Sequence, residues 1–231
     1  MAKHCLVTGA NRGIGLEFVR QLLARGDRVV ATCRHPGKAT ALNTLTGEYP
    51  GHLHVLPLDV ANEKSRAELV RELPLVAGHV DLLINNAGVL HSGERFGQLS
   101  AAHLDDSFRT NASGPLLLTE ALAPALSDGA TVANLSSALG SIASTSRFGT
   151  PSYNISKAAQ NMATVLLAHA LRDRGIRVVA LHPGWVQTDM GGDGAQIAAT
   201  DSVAGLLQVI DGLTLDDSGR FIDWQGQSQP W

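Results

Sequence analysis

Cys5-Leu6-Val7-Thr8-Gly9-Ala10-Asn11-Arg12-Gly13-Ile14-Gly15-Leu16 decides how the rest of the chain is read. A short apolar run, a glycine-rich turn and the start of an amphipathic helix follow one another without a gap. Leu16, Val19, Leu22 and Leu23 recur at helical spacing over residues 14–25, and Gly26 stops the helix. Gly9 permits a tight turn, while Gly13 and Gly15 let backbone approach a pyrophosphate and let helix pack on strand. The helix N-terminus then offers free N–H groups to the anion. The spacing is Gly-X-X-X-Gly-X-Gly rather than Gly-X-Gly-X-X-Gly. Its place at the first strand-to-helix junction favours a bound dinucleotide over a turn without a ligand.

Downstream, short apolar runs alternate with helical patterns. The runs at 5–8, 28–33, 53–57, 80–85, 131–135, 177–182 and 220–223 are expected strands. Val80-Asp81-Leu82-Leu83-Ile84 is nearly continuously apolar, as a strand buried on both faces of a parallel sheet would be. Helices are expected over 14–25, after caps at Asn62 and Ser100, and over 111–126 and 152–174, the last ended by Gly175. This alternation predicts an α/β fold: a doubly wound parallel sheet, helices on both faces, and a single domain over residues 1–231.

Bulk properties narrow the function classes. The 231 residues are 44% hydrophobic and 17% charged, which suits a sizeable core and argues against disorder. A net charge of −3 without a basic run excludes the footprint of a nucleic-acid binder. No apolar stretch has signal-peptide or membrane-span length, so no membrane association is expected. The two cysteines, Cys5 and Cys33, read as reduced thiols of a cytoplasmic protein. The Asn-X-Ser triplets at Asn111, Asn134 and Asn154 read as chance matches. The nine histidines form no ligand motif, and no metal is expected.

The second strand runs into Thr32-Cys33-Arg34, with no carboxylate to hold an adenosine ribose. Arg34, together with Arg12 in the glycine turn, would suit a 2′-phosphate, which predicts NADP(H) rather than NAD(H). Tyr153 and Lys157 lie four residues apart and share a helix face. An ammonium near the phenol would lower its pKa and fit it for proton transfer to a carbonyl oxygen. Ser137 closes an expected strand where open α/β sheets place their ligand crevice; Ser136 is the weaker candidate for the same task.

At this point the chain resembles the short-chain dehydrogenase/reductases over essentially its full length. The matching elements are Thr8-Gly9-X-X-X-Gly13-Ile14-Gly15, Asp59-Val60, Asn85-Asn86-Ala87-Gly88, Asn111, Ser137, Tyr153-X-X-X-Lys157 and Pro183-Gly184. Ala31-Thr32-Cys33-Arg34, the stretch from His182 to Met190 and the terminal Pro230-Trp231 look like the branch of sniffer-type carbonyl reductases and C-factor-like proteins. The resemblance implies a seven-stranded Rossmann-like fold. It implies Tyr153 as proton donor, Lys157 on the nicotinamide ribose, Ser137 on the substrate carbonyl, and Asn111 supporting a water beside Lys157. Asn85, Ala87 and Gly88 would line the adenosine and ribose side, and Asp59 and Val60 would meet adenine. Asn11 belongs to the glycine turn that cradles the cofactor, Pro183 and Gly184 to the turn beside the nicotinamide, and Val186 and Thr188 would touch its carboxamide.

The segment 141–150 between Ser137 and Tyr153 is longer than in many such proteins and is expected to form a loop at the site mouth. Leu90, Leu139, Ile142, Phe148, Trp185 and Met190 are the expected substrate walls. Their apolar character predicts a hydrophobic aldehyde or ketone interconverted with its alcohol. The glycine-rich segment 190–195 is expected to be a mobile lid. The helix carrying Met162, Val165, Leu166 and Leu171 is apolar on more than one face, which predicts a homodimer or homotetramer. The competing reading is a nucleotide-binding regulatory or signalling protein with little turnover; a sugar-nucleotide epimerase fits less well at this length.

Overall fold

The structure, a computed structural model, describes residues 2–231. Residue 1, with which the expected domain begins, lies outside them. The strands are β1 (His4–Val7), β2 (Arg28–Cys33), β3 (Leu53–Pro57), β4 (Val80–Asn85), β5 (Leu126–Leu135), β6 (Arg177–His182) and β7 (Phe221–Asp223). All pair in parallel in one sheet of order β3-β2-β1-β4-β5-β6-β7. The expected sheet is therefore present, with seven strands. β5 begins earlier than its apolar run because Leu126 pairs with Val80 before the register shifts between Val80 and Leu82.

The helices are α1 (Gly13–Ala24), α2 (Thr40–Glu48), α3 (Glu63–Glu72), α4 (Ala101–Phe108), α5 (Gly114–Leu122), α6 (Pro151–Ala170) and α7 (Ala199–Gly212). Successive strand residues point to opposite faces. Cys5 and Val7 accordingly join a core with α1, α2 and α7, while Leu6 joins a second core with α3, α5 and α6. Asn62 caps α3 by accepting from Ser65 N at 3.0 Å. Gly175, at φ +65°, closes the chain after α6.

The expected helix over 111–126 is corrected. Arg109–Ser113 forms a π turn between α4 and α5, and Leu126 already belongs to β5. Asn111 thus lies at a bulge, not at a helix start. Gly114 marks the reason: a Cβ there would lie 2.9 Å from the Val60 carbonyl oxygen, so the bulge lets the chain pack against the turn after β3. Such bulges often accompany functional sites.

Candidate active site

Strand order reverses between β1 and β4, which opens a crevice at their carboxyl ends. The two chain ends there are locked together. Thr8 Oγ1 accepts from Asn86 N and Ala87 N, each at 3.0 Å, and Asn86 Nδ2 donates to the carbonyls of Thr8 at 2.8 Å and Gly9 at 3.1 Å. A Cβ on Gly9 would lie 2.8 Å from Ala87 Cα, and one on Gly15 would lie 2.4 Å from both Asn86 Nδ2 and the Gly9 oxygen. These missing side chains leave a bare backbone cradle. Arg12 precedes α1 with no side-chain cap, and no acidic residue occupies the first turn. The N–H groups of Gly13, Ile14 and Gly15 therefore meet no competing protein anion at the helix start.

Among the expected ligand contacts, the side chains of Asn85 and Arg12 are engaged within the protein. Asn85 turns its amide into the core, donating to Thr119 Oγ1 at 3.1 Å and Asn134 Oδ1 at 2.8 Å. It supports the crevice floor rather than lining it, and Asn86 takes the place at the turn. Asp59 spends one carboxylate oxygen on Ala61 N at 3.0 Å, and Val60 is buried. Arg12 reaches across the crevice to Asp189 at 2.7 Å, so its guanidinium is paired rather than free for a phosphate. Asn11 is exposed beside it. Arg34 stands exposed just beyond β2 and has no ion pair among the described residues. Thr188 packs over Gly13, and Val186 is buried below it.

The second half of the crevice lies between β5, β6 and α6. Tyr153 and Lys157 are buried on α6, with Lys157 Nζ 5.6 Å from the Tyr153 ring centroid. Ser137 follows β5, its Oγ accepts from Leu139 N at 3.2 Å, and its hydroxyl lies near that of Tyr153. Ser136 instead donates to Asn161 Oδ1 at 2.6 Å inside the fold, which removes it as the alternative hydroxyl. Gly88 leaves room for the lysine, since a Cβ there would sit 3.9 Å from Nζ and 3.3 Å from Asn111 Oδ1. The Asn111 amide is committed: it accepts from Val89 N at 2.8 Å and donates to the Val89 carbonyl and Ser156 Oγ, both at 2.9 Å. It pins the extension of β4 to α6 and makes no bond to Lys157.

Electrostatically, burial dominates. It pushes the Tyr153 phenol up to about 12, against a smaller lowering by the nearby Ser137 hydroxyl. It pushes Lys157 down to about 7. The expected acidification of Tyr153 by the lysine is thus not found, because both groups are desolvated together. Tyr153 keeps its proton at neutral pH.

Residues to which the sequence assigned no catalytic role hold this group in place. His182 Nδ1 accepts from Ala138 N at 3.3 Å and Gly184 N at 3.4 Å, joining the turns after β5 and β6. Gly184 itself needs φ +81°. Glu94 Oε2 accepts from Ser152 N at 3.2 Å and Ser152 Oγ at 2.7 Å, capping α6 from the loop after β4. Gln160 binds Lys157. At the mouth, Phe96 meets Phe148 edge-on, with ring centroids 5.6 Å apart. Leu139, Ile142, Phe148, Trp185 and Met190 are exposed, and Leu90 is half-buried. The segment expected to be a mobile lid is folded onto Trp185, whose indole N–H donates to the Gly191 carbonyl at 2.8 Å. Among the described residues no cluster of three or more His, Cys, Asp or Glu could hold a metal, and no helix is long and apolar enough to cross a membrane.

Comparison with known proteins agrees with this geometry. A sequence profile described as short chain dehydrogenase matches residues 3–199. The C-signal of Myxococcus xanthus is 49% identical over 156 residues, 67% of this chain and 94% of that protein. A 1-hydroxy-2-glutathionyl-2-methyl-3-butene dehydrogenase from a Rhodococcus species is 36% identical over 98% of both chains. Among solved structures, the NADPH-bound carbonyl reductase from chicken fatty liver superposes with a TM-score of 0.94 at 38% identity, over 100% of this chain and 99% of that one. The carbonyl reductase Sniffer of D. melanogaster gives 0.95 at 32% identity over the whole of both chains.

Proposed function

Because this chain belongs to the short-chain dehydrogenase family, we propose that it is an NADPH-dependent reductase of hydrophobic aldehydes and ketones, with Tyr153 as proton donor. The observation that carries this reading is the convergence of Tyr153, Ser137 and Lys157 beside a side-chain-free glycine turn. The backbone cradle of Gly9, Gly13 and Gly15 suits a pyrophosphate, and the chicken carbonyl reductase that this chain resembles holds NADPH. Ala87, Gly88, Pro183, Gly184, Val186 and Thr188 would border the cofactor farther along the crevice. When bound, the dihydronicotinamide supplies a hydride to the carbonyl carbon.

The chain's own residues do the rest. Ser137 donates a hydrogen bond to the carbonyl oxygen and orients it. Tyr153 then delivers its proton to that oxygen as negative charge develops there, leaving a tyrosinate. A phenol held near 12 remains a stronger acid than an alcohol and is still protonated at neutral pH. In its protonated form Lys157 has three N–H donors, of which the Leu135 carbonyl and Gln160 take two. The third is left for a ribose hydroxyl, and the ammonium charge offsets the tyrosinate. The apolar mouth favours a hydrophobic substrate, and Phe96 joins its expected walls.

NADPH consumption with a panel of aldehydes, ketones, quinones and diketones tests the activity; no consumption with any of them contradicts it. Arg34, unpaired at the end of β2, is the proposed reader of the 2′-phosphate. Arg34→Ala should weaken NADPH binding by about ten- to a hundredfold, from a charge-assisted contact of roughly 1.5–3 kcal/mol, and leave NADH unchanged. Titration calorimetry with both cofactors checks this, and an equal loss for both would refute the assignment. Arg12 would have to leave Asp189 to contribute.

The chain acts as a single domain over 1–231 in this reading, in the cytoplasm, where its two buried free cysteines stay reduced. Ile155, Met162 and Leu166 form an exposed apolar stripe along α6. A second copy covering it would give a homodimer or homotetramer. A monomeric mass in solution scattering would exclude that assembly. The identity to the C-signal favours one second reading, a regulatory protein that binds the nucleotide with little turnover.

A further inference from the structure

We propose that Gln160 is a positioning residue for Lys157, fixing the ammonium beside Tyr153 and stabilising its charge through the side-chain amide oxygen. The inference rests on the proposed roles of Tyr153 and Lys157. Gln160 lies one turn beyond Lys157 on α6 and is 1% exposed. Its Oε1 accepts from Lys157 Nζ at 2.9 Å, and the Leu135 carbonyl accepts from the same nitrogen at 2.6 Å.

The other half of the amide points to function rather than packing. Gln160 Nε2 is buried without a partner. Leaving such a group unmet costs about 1–3 kcal/mol, so a hydrocarbon of similar volume would suit the core better. What the amide supplies is an acceptor for a cation that has no carboxylate nearby. The placement is also rigid. Thr164 Oγ1 donates to the Gln160 carbonyl at 2.9 Å and accepts from Asn134 Nδ2 at 2.9 Å, while Asn134 Oδ1 accepts from Asn85. A buried polar seam thus ties this turn of α6 to β4 and β5.

The surroundings give Lys157 little other support. Tyr153 lies on the same helix, with its ring centroid 5.6 Å from Nζ, and β6, packed against α6, carries His182. β5, the turn after it and the π turn bring the Leu135 carbonyl, Ser137 and Asn111, all uncharged, while the charged members of these elements, Asp128 and Arg109, are exposed at the surface. α4 carries His103, Asp105 and Asp106, and α5 carries Glu120. None of these side chains supports the ammonium, and burial pushes it down. Two oxygen acceptors therefore hold the ammonium, and Gln160 is the side-chain one.

The test compares Gln160→Met, which keeps volume and removes the acceptor, with Gln160→Glu, which keeps an acceptor and adds charge. Lysine labelled with carbon-13 at Cε is titrated by NMR in the protein without cofactor, the Lys157 signal being identified by its loss in Lys157→Met. The midpoint should fall by about one pH unit in Gln160→Met and rise by at least about one unit in Gln160→Glu. In carbonyl reduction, Gln160→Met should lower kcat about tenfold with an unchanged KM for the carbonyl, and Gln160→Glu should recover most of it. An unchanged midpoint in both variants overturns the proposal, whatever the rates. If Gln160→Met does not fold, the rise in Gln160→Glu decides alone. Because the titration needs neither cofactor nor turnover, failure of the reductase reading leaves this result interpretable.

Discussion

Tyr153→Phe is expected to lower kcat/KM for carbonyl reduction by about a thousandfold, within the range lost with a general acid, while NADPH binds within about twofold of wild type. Phenylalanine fills the same buried space, so packing on α6 is kept. The hydroxyl is what disappears, and with it the proton delivered to the substrate oxygen. The remaining catalysis would come from orientation and from Ser137. Steady-state rates with one reactive ketone, alongside fluorescence titration of NADPH, separate the two effects. Equal rates in both proteins would remove Tyr153 as the donor.

Gly15→Ala is expected to cut NADPH affinity at least about tenfold and to destabilise the fold by roughly 1–3 kcal/mol, as overpacking does. The added methyl would sit 2.4 Å from the Gly9 carbonyl oxygen, which is backbone and cannot swing aside. It would also sit 2.4 Å from Asn86 Nδ2, whose two bonds to Thr8 and Gly9 hold the cradle shut. Either the turn opens or α1 shifts, and both move the N–H groups away from a pyrophosphate. Gly47→Ala is the control. Nothing lies within 4 Å of a Cβ there, and it occupies α2, so the change should be neutral or stabilising. Calorimetric binding and thermal unfolding of both variants check the pair. Wild-type affinity in Gly15→Ala would contradict the cradle.

How much could be read in advance depended on whether a feature was written locally. Val80–Asn85 and Arg177–His182 are apolar runs bounded by turn residues, and the structure places strands over those same residues. Asn62 and Ser100 announced caps that the hydrogen bonds bear out. In α7, Val203, Leu206, Leu207 and Ile210 recur at helical spacing; that signal was present and went unread. The π turn at Asn111 was not legible, because a bulge leaves the apolar pattern of the flanking helices intact.

Long-range pairing was equally hidden. Arg12 is free until the fold brings Asp189 to it across 177 positions. Asn85 and Asn86 are indistinguishable as neighbours in a motif, yet strand alternation turns the first into the core and leaves the second at the crevice. The acid–base balance was missed for the same reason. Tyrosine and lysine one helical turn apart suggest mutual stabilisation, but burial depth decides, and it raises one and lowers the other.

The reductase reading is tested most directly by following the transferred atom. NADPH carrying deuterium at the reactive C4 position is mixed with the protein and a hydrophobic ketone, and the alcohol is analysed by mass spectrometry. One deuterium on the carbinol carbon, formed about a thousandfold more slowly when Tyr153→Phe replaces the wild type, is the expected result. Tight NADPH binding with no labelled alcohol from any aldehyde, ketone or diketone would contradict it and leave the regulatory reading standing.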